Sequence, residues 1–599
     1  MFRPRRRGSF GWFSTFLAPF HSLFLSKGLH NSLALVEDTC TDLLRGYAQT
    51  SNLPHGRAIH AKFLKGSLPF SPFLHNHLLN MYLKCGDIFD GVQLFEEMPS
   101  KNVVSWSAVI TGFVHYGYPK DALSLFCGML RDGTVKPNEF TLVGALHAIS
   151  LNENMSQACY QIYALVVRLG FEWNTFLTNS FLTALTRHGK LEEALEVFEK
   201  CLDKNIVSWN AMIAAYVQFS FSELPRFWYR MNHEGVCPDH FTFSSVLTGL
   251  AALSDLKMGL QVHGKLVKYG LGAETIIGNS LVDMYIKNQK LVDGFKAFYE
   301  MPSRDVCSWT EMAAGCLQCG EPSRALDVVA QMRKMGVLPN KFTFATALNA
   351  CANLASLEEG KKIHGLRIKL GTEIDVCVDN ALVDMYAKCG CMNDAWDAFR
   401  SMNYRSVISW TTMITGCAQN GQAREALEIF EKMRMEGVEP NDITLICVLY
   451  ACSQGGFIDE GWKYFSSMTR DHGICPGEDH YACMVNLLGR AGHTKEAEEL
   501  ILKMPFQPGV LVWQTLLGAC QVHGDTETGK RAAEHALELD RKDPSTYVLL
   551  SNMHAGISNW DGAGMLRELM EIRDVQKMPG SSWIEVENSR LLSALEGSA

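Results

Sequence analysis

The strongest constraint on this chain is that it repeats itself. The dipeptide Ser-Trp returns with its tryptophan at Trp106, Trp209, Trp309 and Trp410, about every 101 residues, and a Val-Trp at Trp513 continues the series. A second series is Met81-Tyr82-Leu83-Lys84-Cys85-Gly86, Met284-Tyr285-Ile286-Lys287 and Met385-Tyr386-Ala387-Lys388-Cys389-Gly390. Ala184-Leu185-Thr186-Arg187-His188-Gly189 is its drifted copy. A third is Arg57-Ala58-Ile59-His60, Leu260-Gln261-Val262-His263 and Lys361-Lys362-Ile363-His364. One cycle therefore holds three related units.

Each unit reads as two antiparallel helices. In 175–205, Phe181, Leu182 and Leu185 set an apolar face at helical spacing, and His188-Gly189-Lys190 breaks it. Leu191, Ala194, Leu195 and Phe198 then form the stripe of a second helix. A pair this short cannot bury its own apolar face, so neighbouring pairs must stack into a continuous core. No sustained period-two alternation with hairpin turns occurs, so strands are not expected. The expected fold is an all-α solenoid of stacked helix-turn-helix repeats.

Proline punctuates the longer units, as Pro137-Asn138, Pro238-Asp239, Pro339-Asn340 and Pro440-Asn441, because it cannot continue the preceding helix. The units run 37–71, 72–102, 103–138, 139–174, 175–205, 206–239, 240–274, 275–305, 306–340, 341–375, 376–406, 407–441, 442–477 and 478–509.

Composition narrows the classes. With 47% apolar and 20% charged residues the chain is built to fold. Nineteen cysteines, an odd number scattered over 599 residues, disfavour a secreted disulfide framework and suit a reducing compartment. No long uncharged apolar run marks a membrane span. A net charge of −9 argues against indiscriminate polyanion binding through a global basic field, but leaves room for a local basic groove. The first acidic residue is Glu37; before it stand Arg3, Arg5, Arg6, Arg7 and Lys27 among serines and aromatics. Basic, serine-containing and acid-free, residues 1–36 are expected to be an organellar transit peptide. A secretory signal fits less well, since Ser14, Pro19, His21 and Ser22 interrupt the apolar stretch.

The alternation of helix pairs resembles the plant pentatricopeptide repeat proteins of the PLS class, E subgroup. The resemblance is carried by Val-Ser-Trp-Asn-Ala-Met-Ile at 207–213, Asn-Ala-Leu-Val-Asp-Met-Tyr-Ala-Lys-Cys-Gly at 380–390 and Glu-Ala-Leu-Glu-Ile-Phe-Glu-Lys-Met at 425–433. His480-Tyr481-Ala482-Cys483-Met484-Val485, Leu488-Gly489-Arg490-Ala491-Gly492, Met504-Pro505-Phe506, Tyr547-Val548-Leu549-Leu550-Ser551-Asn552 and Pro579-Gly580-Ser581-Ser582-Trp583 look like the family's closing repeats and its E domain. The resemblance implies a right-handed α-solenoid related to tetratricopeptide arrays. It divides the chain into a leader at 1–36, an array of P, L and S motifs at 37–509, E-type motifs at 510–543 and 544–577, and a truncated tail at 578–599.

The resemblance also implies that each repeat reads one nucleotide with two side chains. They are the fifth residue of the unit, on its first helix, and the last residue of the unit. Carried over, the pairs are Asn76/Asn102, Ser107/Asn138, Asn179/Asn205, Asn210/Asp239, Asn279/Asp305, Thr310/Asn340, Asn380/Ser406 and Thr411/Asn441. All are short donors or acceptors able to meet a base edge. Helix capping accounts for the unit-final residues equally well. It accounts less well for the fifth residue, which lies inside a helix where these types are poor formers. The intervening units carry Thr41/Ser71, Val143/Asn174, Ser244/Glu274, Ala345/Asp375 and Ile446/Gly477, and the closing unit Ala482/Gly509; these are expected to space or orient. The implied target is 5′-Y-A-N-Y-U-N-U-A-N-C-A-N-N, with an edited C four nucleotides beyond.

Other signals weigh less. Cys316 and Cys319 form a C-x-x-C with no second ligand pair, and Cys316 falls in a slot shared with Phe113, Tyr216 and Cys417, so a packing role is expected. His60, His263 and His364 recur in matching units and are expected to be structural contacts. No phosphate-binding loop or H-E-x-x-H occurs. No H-x-E and no P-C-x-x-C is present, so the chain is not expected to supply a cytidine deaminase site, or to be an enzyme, and no cofactor is expected.

The expected function is sequence-specific binding of single-stranded organellar RNA, in the mitochondrion first and the chloroplast second. By resemblance it selects sites of C-to-U editing, and its E region, which carries few polar pair residues, docks a deaminase-bearing protein in trans, with other organellar editing factors as further partners and no membrane. The alternatives are an RNA processing, splicing or stability factor and, in another class, a tetratricopeptide-like protein scaffold.

Overall fold

In the computed structural model the described residues are 29–66, 71–152, 155–272, 274–371, 375–573 and 575. Among them are 32 α-helices, one short 3-10 turn at Phe221–Glu223 and no strand. None of these helices is long and apolar enough to cross a membrane. The chain divides into two compact bodies, 1–272 and 273–599. Each is an α-solenoid: the helices come in pairs, and within each body successive first helices pack on one another as well as on their own partners.

First helices begin at residues 72, 103, 139, 175, 206, 240, 275, 306, 341, 376, 407, 442, 478, 510 and 544, the first residues of the units delimited above. The start of the first unit differs. Its helix runs Leu29–Thr50 and crosses the boundary drawn at residue 36, because no glycine or proline interrupts the chain between Gly28 and Gly46. Residues 1–28 of the expected leader and the tail at 578–599 lie outside the described residues.

Local chemistry sets the helix ends. The side chain of Asn205 accepts from the backbone N–H of Ser208, and Ser208 closes a reciprocal capping box before Ile206–Phe219. Turns inside units take a left-handed residue, Gly86, Gly189 and Gly390 at φ +84°, +71° and +75°, where a side chain would be strained. In the units ending at 102, 205, 305 and 406 the second helix ends under a basic residue that precedes the unit-final one. Lys204 donates to the carbonyls of Glu199 and Cys201 and stands over the Phe198 ring, and Arg405 donates to Phe399 O and stands over the Phe399 ring.

The recurrent tryptophans are the joints between units. Trp106, Trp209, Trp309 and Trp410 are buried edge-to-face on Phe95, Phe198, Phe298 and Phe399 of the preceding second helix, with ring centres 4.8, 4.9, 4.9 and 5.1 Å apart. Burying such a ring contributes about 2–3 kcal/mol, and the aromatic pair about 1 more. Two further series are also structural. His60 Nδ1 meets Tyr82 Oη at 2.8 Å and His364 Nδ1 meets Tyr386 Oη at 2.9 Å, tying the second helix of one unit to the first of the next. Burial pushes both imidazoles below their ordinary value.

Cys316 is fully buried in its packing slot, as Cys417 is, and burial pushes each thiol up to about 12. Its neighbour Cys319 reaches Ile286 O, as Tyr116 Oη reaches Lys84 O and Asn420 Nδ2 reaches Ala387 O, so this position bridges to the preceding first helix.

Candidate functional site

Each unit-final residue of the eight pairs is the N-cap of the following first helix. The capping account of those residues therefore holds. What it omits is the fifth residue of the preceding first helix, which the stacking of first helices brings alongside the cap.

In four pairs the two side chains bond directly. Asn76 Nδ2 donates to Asn102 Oδ1 at 3.2 Å, Ser107 Oγ to Asn138 Oδ1 at 3.3 Å, and Asn179 Nδ2 to Asn205 Oδ1 at 3.1 Å. Asn210 Nδ2 donates to both Asp239 oxygens, at 3.1 and 3.3 Å. In two pairs a threonine bridges them. Thr343 Oγ1 lies 2.7 Å from Thr310 Oγ1 and donates to Asn340 Oδ1 at 3.0 Å, and Thr444 Oγ1 lies 2.8 Å from Thr411 Oγ1 and donates to Asn441 Oδ1 at 2.8 Å. In the last two the fifth residue stands apart. Asn279 Oδ1 and Asn380 Oδ1 are buried with no hydrogen-bond partner among the described residues, while Ser308 and Ser409 bond the caps Asp305 and Ser406.

A third residue thus belongs to the arrangement, the hydroxyl at the third position of the following unit. The hydroxyls of Ser105, Ser208 and Thr242 each lie 2.6–3.1 Å from an acceptor oxygen on both members of a pair, which share its one O–H donor. All eight such hydroxyls, from Ser105 to Thr444, are buried. The signal was in plain view: four of them are the serines of the Ser-Trp series, which sequence reading treats as a ruler with no role for the serine.

The network also sets charge. Burial alone would push the Asp239 carboxyl up, but hydrogen bonds from the Thr242 N–H, the Thr242 hydroxyl and Asn210 outweigh it and hold the group below its ordinary value. Asp239 is therefore an ionised, acceptor-only side chain at neutral pH. An asparagine cap uses its Oδ1 on the backbone and keeps amide hydrogens for a donor role.

Two of the spacer units, 139–174 and 341–375, turn their last side chain elsewhere. Asn174 Nδ2 donates to Glu139 Oε2 at 2.7 Å, and Lys341 Nζ pairs with Asp375 Oδ2 at 3.0 Å, so the cap joins the first residue of its own unit. Val143 and Ala345 at the fifth positions offer nothing polar.

Two further rows follow the same register. The second residue of most units is an exposed apolar one; Phe73, Val104, Phe140, Phe241, Ile276 and Ile408 are each more than half exposed. The first helix of the units at 72, 175, 275 and 376 ends on a basic residue, Lys84, Arg187, Lys287 and Lys388. At the start of the array these rows meet in a groove of about 1190 Å³, lined among others by Phe73, Asn76, Lys84, Asn102, Val104, Ser107 and Asn138. Sequence reading missed the apolar row because an exposed aliphatic residue at a helix start looks like any amphipathic edge. No group of His, Cys, Asp or Glu among the described residues is placed to hold a metal ion.

Comparison with known proteins agrees with this geometry. The PPR repeat profile matches residues 73–103, 104–134, 176–206, 279–306, 380–407 and 479–506, the PPR repeat family profile 304–353 and 405–454, and the E motif profile 523–585. Among relatives in Arabidopsis thaliana, pentatricopeptide repeat-containing protein At4g33170 is 37% identical over 91% of this chain and 55% of its own length. At3g49170, chloroplastic, is 37% identical over 85% of this chain and 60% of its own length. The chain thus spans little more than half of these two relatives. At3g53360, mitochondrial, is 34% identical over 91% of this chain and 71% of its own length. The crystal structure of maize PPR10 in complex with an 18-nt psaJ RNA element superposes with a TM-score of 0.55 at 18% identity, covering 92% of this chain and 88% of that one. The chain belongs to the pentatricopeptide repeat family, in the E subgroup of its PLS class.

Proposed function

We propose that this protein reads single-stranded RNA in sequence within a plant organelle, the mitochondrion in first place and the chloroplast in second. On this reading it marks sites of C-to-U editing, and a deaminase-bearing protein joins it in trans through the E region. The observation that carries the reading is the periodic triple of fifth residue, cap and exposed apolar second residue. A helix cap needs neither of the other two. Relatives whose names place them in mitochondria or chloroplasts support an organelle, and the RNA held by maize PPR10 supports the ligand class.

Each element has a separate task. The exposed apolar side chains offer flat contact to base faces, which is worth about 1–3 kcal/mol per base and tolerates any sequence. The basic residues closing the first helices give phosphates local partners within a chain of net charge −9. The pair then discriminates at the base edge. Ionised Asp239 accepts from uracil N3–H, while asparagine caps present donors suited to adenine N1 or cytosine N3.

Competition binding of purified protein with the 5′-Y-A-N-Y-U-N-U-A-N-C-A-N-N RNA against a shuffled RNA of equal composition tests the reading. Preference for the first by tenfold or more is expected, about the effect of one or two base contacts, and equal binding sinks it. Ser406→Asp should shift preference at its base from C towards U several-fold; an unchanged ratio in a folded, binding variant makes Ser406 a cap only. The isolated protein should leave cytidine intact. Organellar RNA from plants lacking it should lose C-to-U conversion at one site near a matching sequence. Altered transcript ends or introns with all editing retained would point to a processing or splicing factor.

A further inference from the structure

The three-residue arrangement does not stop with the array. Beyond two units that lack it, it returns inside the region assigned to the E-type motifs. The helix Val510–His523 carries Gln514 at its fifth position, and Asp543 caps the next first helix, Pro544–Gly556. Gln514 Nε2 donates to Asp543 Oδ2 at 2.5 Å and to Thr546 Oγ1 at 3.1 Å. The Thr546 N–H and hydroxyl both donate to Asp543 Oδ2, at 2.7 and 2.6 Å, and Thr546 is fully buried. The residue set is that of Asn210, Asp239 and Thr242, one methylene longer on the amide side, with one exchange: the Thr242 hydroxyl donates to Asn210 Oδ1, whereas the Thr546 hydroxyl accepts from Gln514 Nε2 and leaves Gln514 Oε1 open. Leu511, at the second position, is more than half exposed, as in the pair-bearing units.

We propose that the helix pair at 510–543 contacts one further RNA base, the third nucleotide 3′ of the one facing Thr411/Asn441, and that it favours guanine. The inference rests on the RNA reading above. Its chemical content comes from which atoms remain open. A carboxylate only accepts, so the amide nitrogen must face Asp543, and both its hydrogens are taken, by Asp543 and Thr546. Gln514 Oε1 and the second Asp543 oxygen make no hydrogen bond among the described residues. The pair therefore presents two acceptors and no donor. Guanine alone carries two adjacent donors on its Watson–Crick edge, N1–H and the N2 amino group. Adenine and cytosine would set a ring-nitrogen acceptor against the carboxylate, and uracil has one donor flanked by acceptors.

The test uses the full chain and four RNAs that extend the 13-nucleotide target by one nucleotide, G, A, C or U. The G-ended RNA should bind at least about fivefold tighter than the others, within the range of a single base contact. Gln514→Leu should erase that preference. Asp543→Asn keeps a capping side chain but adds donors, and should lower the preference for G. A parallel exchange of the base facing Thr411/Asn441 is the control. Equal binding of the four RNAs with the control preference intact overturns this inference alone. Loss of discrimination at both bases in the unaltered protein overturns the RNA reading, and this inference with it.

Discussion

The neighbouring units 407–441 and 442–477 have the same two helices and end on the same kind of junction, yet they fill it differently. In the first, Asn441 caps the next helix, Thr444 closes the box, and Thr411 reaches across from the helix before. In the second, the cap is Gly477, which has no side chain, and the third position is His480. His480 Nδ1 accepts from the Gly477 N–H at 3.2 Å, so the other ring nitrogen carries the proton and donates to Asp442 O, also at 3.2 Å. The ring is buried where the first unit has a hydroxyl and an open polar pair. Terminating a helix and presenting a polar pair are therefore separable tasks, and the array meets the first at every junction but the second only at some.

Removing the histidine should have the largest effect. His480→Ala vacates a buried ring and orphans the Gly477 N–H, and should cost about 2–4 kcal/mol in denaturant unfolding. Base preference at the unit before it should not move; a small cost would mean the ring is filler. Thr444→Val keeps the shape and the Asn441 cap but removes the bridging hydroxyl. A cost of about 1–2 kcal/mol is expected, with loss of preference at the base facing Thr411 alone. Preserved preference would show that the bridge is dispensable. A transplant sharpens the contrast further. Ile446→Thr, Gly477→Asn and His480→Thr together copy the first unit into the second and should create a several-fold preference for A at the matching nucleotide. Stability should change by about 1 kcal/mol or less, since a gained side-chain cap offsets the lost ring. If no preference appears, three residues are not sufficient. Lys341→Met, which breaks the half-exposed pair with the cap Asp375, should be smallest, below about 0.5 kcal/mol. It should leave base preference at Ala345 absent; a new preference there would refute the spacer role.

Unit starts from 72 to 544 were legible because capping residues, prolines and apolar stripes mark helices locally. The start at Leu29 was not, since a basic, acid-free composition describes a leader and a helix alike. The pairs were visible as residue types, but their coupling was not: a contact across roughly 30 residues depends on how first helices stack. Asn279 and Asn380 match their counterparts in sequence and differ in geometry. Gln514 escaped notice because its residue type falls outside the short polar set of the array, although Asp543 and Thr546 repeat the cap and hydroxyl of Asp239 and Thr242.

That the closing residue of one repeat caps the next restricts the vocabulary available at a reading position. Asn, Asp and Ser cap nearly equally and Thr slightly less well, whereas an aliphatic residue there costs about 1 kcal/mol. Exchange among the first four changes what is offered to a base, acceptor for donor or donor for hydroxyl, with little change in folding stability. Specificity can therefore drift through neutral intermediates while the scaffold persists, and an engineer can respell one position without rebuilding its neighbours. The same rule sets the ceiling: any letter that needs a bulky apolar residue at the cap has to be written at the fifth position instead.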